Sequence, residues 1–350
     1  MSRFMNSDDP VGPPTPERGR LKMADIARMA GVSISTVSRA LAGNTLIPKV
    51  LREEIAEIAR ANGYVVNQAA RSLRLRRTNT IGVIIPLGHE AGQLISDPFF
   101  LEMVGRLADE ITLRDYAVLL TKVASPQPGW LDRIIQSQRA DGLLIIGQSN
   151  QHDALSLAAR TYRPMVVWGG HMSDQAYCSV GGDNVGGARL AVEHLIGAGR
   201  RRIAFLGAPD APEAALRRDG YLAALDAAGL PSDPALIAHA PFTVETAPEA
   251  ARALIESGVA FDAIFAVSDV IALAAVRALT EAGRRVPEDV AVIGYDDIFL
   301  ARQSTPPLTT VRQDLETGAR KMVELLFRRI GGEDTPSTTM PAELIVRASA

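Results

Sequence analysis

The sequence is poor in cysteine, histidine and aromatic side chains, and it contains no long uninterrupted apolar run. Its one cysteine, Cys178, excludes an intramolecular disulfide framework and a cysteine metal cluster; it reads as a small buried residue. The five histidines show neither a Ser/His/Asp arrangement nor metal-ligand spacing, so no metal, no cofactor and no enzymatic activity are expected. No stretch approaches the ~18 apolar residues of a membrane span. The first twenty residues, rich in proline and polar groups, lack the apolar segment of a secretory signal and are expected to be a disordered leader. A cytoplasmic location follows from these absences.

What is present is a charge asymmetry hidden by the net charge of −3. Residues 18–78 hold twelve Lys/Arg against four Asp/Glu, whereas residues 79–350 carry a net −9. A basic unit on an acidic body points to a polyanion-binding head and a body that does not stick to nucleic acid indiscriminately.

Residues 21–66 divide into three short helical patterns. Ile26, Ala27 and Ala30 share a face of the first, and Gly31 supplies its left-handed end. Ser33 stands as N-cap of the second, where Val37 and Leu41 continue the stripe. Pro48 opens a third, with Ile55, Ile58 and Ala59 inward and Asn62-Gly63 closing it. Residues 67–78 form a basic linker, too short to be a stable helix alone.

From Thr80 the texture becomes strand then helix, repeated. Apolar runs at 81–85, 116–120, 142–146, 165–168, 202–206, 263–267, 290–295 and 344–346 alternate with helical segments, the mark of parallel sheets covered on both faces. The expected architecture is a small all-α head plus an α/β body of two doubly wound parallel-sheet lobes with a ligand cleft between them. Lobe 1 is placed at about 79–181 and 312–338, lobe 2 at about 182–311 and 339–350. The crossovers are sought in the GGDN turn (181–184) and the Pro306–Thr310 segment. The glycine-rich run 181–187 fits neither G-x-G-x-x-G nor the Walker pattern, and a crossover is the better account of it.

The sharpest signal is Asp25-Ile26-Ala27 … Ala30-Gly31-Val32-Ser33-Ile34-Ser35-Thr36-Val37-Ser38-Arg39-Ala40-Leu41. A helix, a tight turn and a second helix opening on small polar residues suit docking in a major groove. Ile34, Ser35 and Arg39 are then placed to meet base edges, and Ser33, Thr36 and the helix-start amides to meet phosphates. Arg39 can pair with guanine O6 and N7.

These residues, together with NGY at 62–64, ARSL at 70–73, DGLLI at 141–145, VPEDVAVIGYDD at 286–297 and PLTTVRQD at 307–314, resemble the LacI/GalR family of bacterial repressors over residues 21–350. The resemblance implies a hinge helix in the ARSL segment. There Leu73 wedges into the minor groove, flanked by Arg71, Arg74, Arg76 and Arg77, with Asn67 as the cap of the segment and a DNA contact. It also implies that Arg217 and Asp296 grip an effector, with Phe99, Phe100 and Phe242 as aromatic contacts and Gln148 and Ser268 at strand ends. Where many members place an aspartate after Val167, this chain has Trp168-Gly169-Gly170; Trp168 is a candidate stacking surface. The loop Leu87–Ser96 is longer than usual and offers His89, Glu90 and Gln93. The absence of a leucine-heptad tail implies a homodimer on a roughly palindromic double-stranded operator. The expected function is a transcriptional repressor of carbohydrate-utilisation genes controlled by a sugar or glycoside. A purine or other metabolite is the alternative effector, and a solute-binding protein a distant second class.

Overall fold

The computed structural model describes residues 21–41, 43–64, 77–90, 92–208, 211–242 and 247–350. The chain forms two compact units, divided between residues 76 and 77. Of the basic linker, residues 67–76 lie outside the described residues, as does the leader 1–20.

The smaller unit holds α1 (Met23–Met29), α2 (Ile34–Leu41) and α3 (Lys49–Ala61). Gly31, at φ +63°, makes the left-handed step that turns the chain from α1 into α2. Ser33 Oγ then accepts the Thr36 N–H at 3.1 Å, the N-cap its position called for. Asn62 caps α3 and Gly63 turns the chain away. Ile26, Val37 and Ile55 are wholly buried with Ala27, Ala40 and Ala59 between them. Each such large aliphatic contributes roughly 1.5–3 kcal/mol, so so small a core leaves little surplus over chain entropy.

The larger unit carries two six-stranded sheets. The first is built from β1 (Thr80–Pro86), β2 (Ala117–Val123), β3 (Gly142–Ile146), β4 (Met165–Trp168), β5 (Cys178–Gly182) and β11 (Thr338–Met340). Its order is β11-β5-β4-β3-β1-β2, parallel throughout. Helices α4 (Pro98–Thr112), α5 (Trp130–Gln136), α6 (His152–Ala159) and α12 (Leu315–Ile330) cover it. Side chains of β3 alternate: Leu144 and Ile146 join the core beneath α4 and α12, while Leu143 and Ile145 join Trp130, Leu155 and Tyr177 on the other face. Burial on both faces is why the strand is apolar at every position.

The second sheet runs β12-β10-β9-β8-β6-β7. Its strands are β6 (Ile203–Leu206), β7 (Ile237–Ala238), β8 (Ala263–Ala266), β9 (Ala291–Asp296), β10 (Thr309–Arg312) and β12 (Glu343–Ile345), with only β12 antiparallel to its neighbour. Its helices are α7 (Asn184–Gly197), α8 (Pro212–Ala227), α9 (Ala247–Glu256), α10 (Asp269–Glu281) and the short α11 (Phe299–Gln303).

The eight apolar runs read from the sequence all coincide with strands, displaced by at most a residue or two, save that β2 extends to Val123. Four further strands, β5, β7, β10 and β11, were not among them. The Pro306–Thr310 segment proposed as a crossover leads into β10, which pairs with β9, so the chain changes lobe only after Arg312. The last crossing follows Met340 rather than 338, because Thr338–Met340 pairs with β5. The glycine-rich run is the end of β5 and the start of α7: a Cβ on Gly181 would sit 2.1 Å from the Gly169 carbonyl, and Asp183 caps α7 by accepting Gly186 N–H at 2.8 Å. The Gly186 amide at the helix start is thus taken by a carboxylate of the chain itself. Among the described residues, no helix is long and apolar enough to cross a membrane.

Candidate functional site

In the small unit, the N-terminal end of α2 faces solvent. Ile34 is 53% exposed, Ser35 and Arg39 are exposed, and Thr36 is half-buried. An exposed isoleucine beside a serine and an arginine, on a helix with no acid in its first turn, is costly as surface and well suited to the methyl and acceptor groups of base edges. Ser33 Oγ lies 2.8 Å from both Ser35 Oγ and Thr36 Oγ1, tying the three hydroxyls at the helix start together. Three acids of the neighbouring helices sit in local pairs: Asp25 with Arg28 at 3.0 Å, Glu53 with Lys49 at 3.8 Å and Glu57 with Arg60 at 2.8 Å. Asn67, Arg71, Leu73 and Arg74 lie outside the described residues.

In the larger unit, a cleft of about 660 Å³, open to solvent, lies between the carboxyl ends of the two sheets. Lobe 1 contributes Phe99 and Phe100 from the start of α4, in edge-to-face contact at 5.6 Å, and Trp168 from the end of β4. Lobe 2 contributes Arg217, Phe242, Ser268 and Asp296. Seven of the eight residues singled out as effector contacts therefore meet on one cavity. Gln148, the eighth, lies beneath it. Its side chain is wholly buried, with Nε2 donating to Gly170 O and Tyr177 Oη, both at 2.7 Å. The two glycines after Trp168 explain the detour, for a Cβ on Gly169 would stand 2.7 Å from the Gln148 amide. Trp168 shows only 3% of its surface, and its ring packs against Gly318, where a Cβ would come within 2.2 Å. It offers the cleft an edge, with its faces largely given to the core.

Arg217 is 4% exposed. Its Nε donates to Asn184 Oδ1 at 2.8 Å and its Nη1 to the Val267 carbonyl, while the guanidinium lies 3.7 Å above the Tyr295 ring. So held, it stands 3.8 Å from Asp296 Oδ1. Gln313, at the lobe crossing, donates to the same carboxylate at 2.7 Å. Burial pushes Asp296 up to about 7, although Arg217 and Gln313 both pull it down. Asp296 and Asp297 also adopt positive φ values of 121° and 58°. Such conformations cost non-glycine residues of order 1–3 kcal/mol each and persist where the surroundings over-determine them. Asp297 is fixed by Arg347, by Arg312 at 2.9 Å and by Arg302 at 4.0 Å.

Sequence reasoning did not single out Asp97, Ser149, Glu213 or Gln313, all of which line the cleft. Asp97 caps α4, accepting Phe99 N–H at 2.9 Å, and burial raises its acid. Glu213, in the first turn of α8, accepts the backbone N–H of Gln148 at 3.2 Å and so spans the lobes. From the long loop, His89 and Gln93 reach the cavity. His89 is held to Ser149 at 2.8 Å and meets the Phe242 ring edge-on at 6.0 Å, while Gln93 donates to Asp97 at 3.2 Å.

A three-helix unit with the polar start of its second helix exposed, and a two-lobed unit around a polar and aromatic cleft, together define the class of ligand-sensing DNA-binding regulators of transcription. The profile of the bacterial regulatory proteins of the lacI family matches residues 22–67, and that of the periplasmic binding protein-like domain matches residues 192–350. The regulator CelR of Thermobifida fusca is 35% identical over 95% of this chain and 99% of its own length. The repressor CytR of Escherichia coli K12 is 33% identical over 93% and 95%. Among solved structures, a CelR–cellobiose complex superimposes with a TM-score of 0.70 at 33% identity, over 95% of this chain and 100% of that one. A lac repressor dimer bound to operator and an anti-inducer gives 0.82 at 26% identity, over 94% and 98%. The chain belongs to the lacI family of bacterial regulatory proteins.

Proposed function

We propose that this protein is a cytoplasmic repressor of carbohydrate-utilisation genes, without enzymatic activity, whose hold on operator DNA is set by a neutral sugar or glycoside bound in the cleft. The observation that carries the sugar is the make-up of the cavity wall. Three acidic side chains, Asp97, Glu213 and Asp296, share it with one guanidinium, Arg217, and four aromatic rings. A phosphate or carboxylate ligand would find a single guanidinium there, already held beside Asp296, whereas hydroxyls pair with acidic side chains and C–H faces pack on rings. The match to a relative solved with cellobiose supports the same class.

On DNA, Ile34, Ser35 and Arg39 meet base edges while Ser33 and Thr36 meet phosphates. Asn67, Arg71, Leu73 and Arg74 act in the hinge, Leu73 as the wedge in the minor groove. Two copies on a two-fold axis then read a roughly palindromic site, as the lac repressor dimer on its operator suggests. Effector binding draws the lobes together and shifts DNA affinity by linkage.

The test is thermal denaturation against glucose, cellobiose, other glycosides and purines, followed by operator binding with any ligand found. A ligand specific to the folded state stabilises by RT ln(1 + [L]/Kd), about 2.7 kcal/mol at a hundredfold excess over Kd. A shift with a sugar that also changes operator affinity upholds the reading. A shift with purines alone overturns the sugar, and a sugar shift without change on DNA overturns the coupling.

A further inference from the structure

Asp296 reaches the cleft from a corner of backbone that L-residues avoid, and the arginines around Asp297 fasten only one side of it. The other side is held by a residue outside the cavity. Asp269, the first residue of α10, is wholly buried. Its Oδ2 accepts the Ile298 N–H at 2.9 Å and its Oδ1 accepts the Thr310 hydroxyl, so one side chain ties the start of α10 to the residue after the corner and to the neighbouring strand β10.

Helix capping does not account for this acid. Ser268 already caps α10, its Oγ accepting Ile271 N–H at 3.3 Å. Room has instead been cleared for the carboxyl: a Cβ on Gly294, two residues before Asp296, would lie 2.3 Å from Asp269 Oδ1. Burial, and after it the charge of Asp296, raises the Asp269 acid well above the usual carboxylate range. A buried acid kept at such expense, wired to the backbone beside a strained turn, has the attributes of a brace.

We propose that Asp269 is a positioning residue: through Ile298 N–H and Thr310 it holds the Asp296–Asp297 corner in the conformation that aims the Asp296 carboxyl into the cleft. Its consequence for ligand binding rests on the reading of Asp296 as an effector contact.

Two substitutions separate the possibilities. In Asp269→Asn the amide oxygen accepts Ile298 N–H and the amide NH₂ donates to Thr310 Oγ1, so the brace survives; Asp269→Ala removes it. Amide hydrogen exchange of the full chain without ligand is read over the peptide covering 294–300. Expected is exchange faster by about tenfold or more in the alanine variant and within about threefold of wild type in the asparagine variant, with β8 and β10 unchanged. Equal corner exchange in alanine and wild type overturns the proposal. So does an asparagine variant as exposed as alanine, or a loss of protection spread over β8 and β10, which would make Asp269 a general support of the fold. In a second arm, the melting shift given by cellobiose is expected to persist in asparagine and vanish in alanine; an alanine variant that keeps it overturns the role in binding. If cellobiose does not shift the wild type, the choice of sugar fails there, and the exchange measurement still decides the role of Asp269.

Discussion

The Asp296 carboxyl provides a test of the cleft that requires no knowledge of its ligand. In the folded protein, burial holds its acid at about 7, against an ordinary 3.8. Between these values the native state keeps a proton that the unfolded chain has lost. Stability contributed by this group is therefore complete at low pH and is lost as pH rises, levelling once pH passes the folded value. One proton corresponds to about 1.4 kcal/mol per pH unit, so from pH 5 to pH 7 the loss approaches about 2–3 kcal/mol. Asp296→Asn keeps the shape and removes the titration. The wild-type stability minus that of the variant should fall by about 1.4 kcal/mol per unit from pH 5 to near 7 and then flatten. Working with the difference cancels the surface carboxylates Asp25, Glu281 and Asp289, which are lowered and so act with the opposite sign. Both tryptophans, Trp130 and Trp168, lie in the larger unit, so urea titrations followed by their fluorescence report that unit alone. Parallel profiles for wild type and variant would refute the claim that Asp296 is buried and protonated in the folded cleft.

Three other expectations follow from the contacts. Arg217→Ala strands the acceptors Asn184 Oδ1 and Val267 O, at about 1–3 kcal/mol each, and should abolish effector response in an operator-binding titration while DNA binding persists; a normal response removes Arg217 from the site. Leu73→Ala should weaken specific operator binding strongly with effector affinity nearly unchanged, and equal loss of both in parallel titrations contradicts the wedge. Ile55→Ala empties the centre of the three-helix core at about 2–5 kcal/mol, enough to unfold so small a unit. Its circular dichroism should show lost helix with the melting of the two-lobed unit intact, and an undiminished helical signal would mean that the core is stronger than its six buried residues imply.

The strands legible in the sequence are those that pack on both faces. Runs such as Gly142–Ile146 and Ala263–Ala266 admit no polar residue. Strand β5 escaped notice because its burial is achieved with Cys178, Ser179 and glycines, which carry no strand signature, and β11 because three residues after a proline are too few to show a period. Strand β10 was masked by the Pro306-Pro307 pair just before it. In the cleft, Arg217 and Asp296 stood out through the motifs around them. Asp97 and Glu213 did not, because an aspartate before Pro98 and a glutamate after Pro212 are what any helix start selects. Only the folding of two lobes brings those ordinary helix-start acids to one cleft. Gln148 illustrates the converse: its strand-end position was legible, but not the vacancy at Gly169 that draws its side chain beneath the cleft.

The chain passes between lobes at 182–183, 312–313 and 340–341, so neither lobe is a continuous stretch of sequence. As the polypeptide emerges from the ribosome, the three-helix head is complete before the first strand of the body has been made. Each lobe, by contrast, waits for its outermost contributions: β11 for one, and for the other β12 and Ser349, whose hydroxyl bonds Thr309 N–H and Val292 O. The head can therefore fold early, whereas the sensing unit can close only once residues 338–349 have been made, and it carries two open-edged sheets until then. Truncations near residue 340 should accordingly yield a protein whose head still folds and whose regulation is lost.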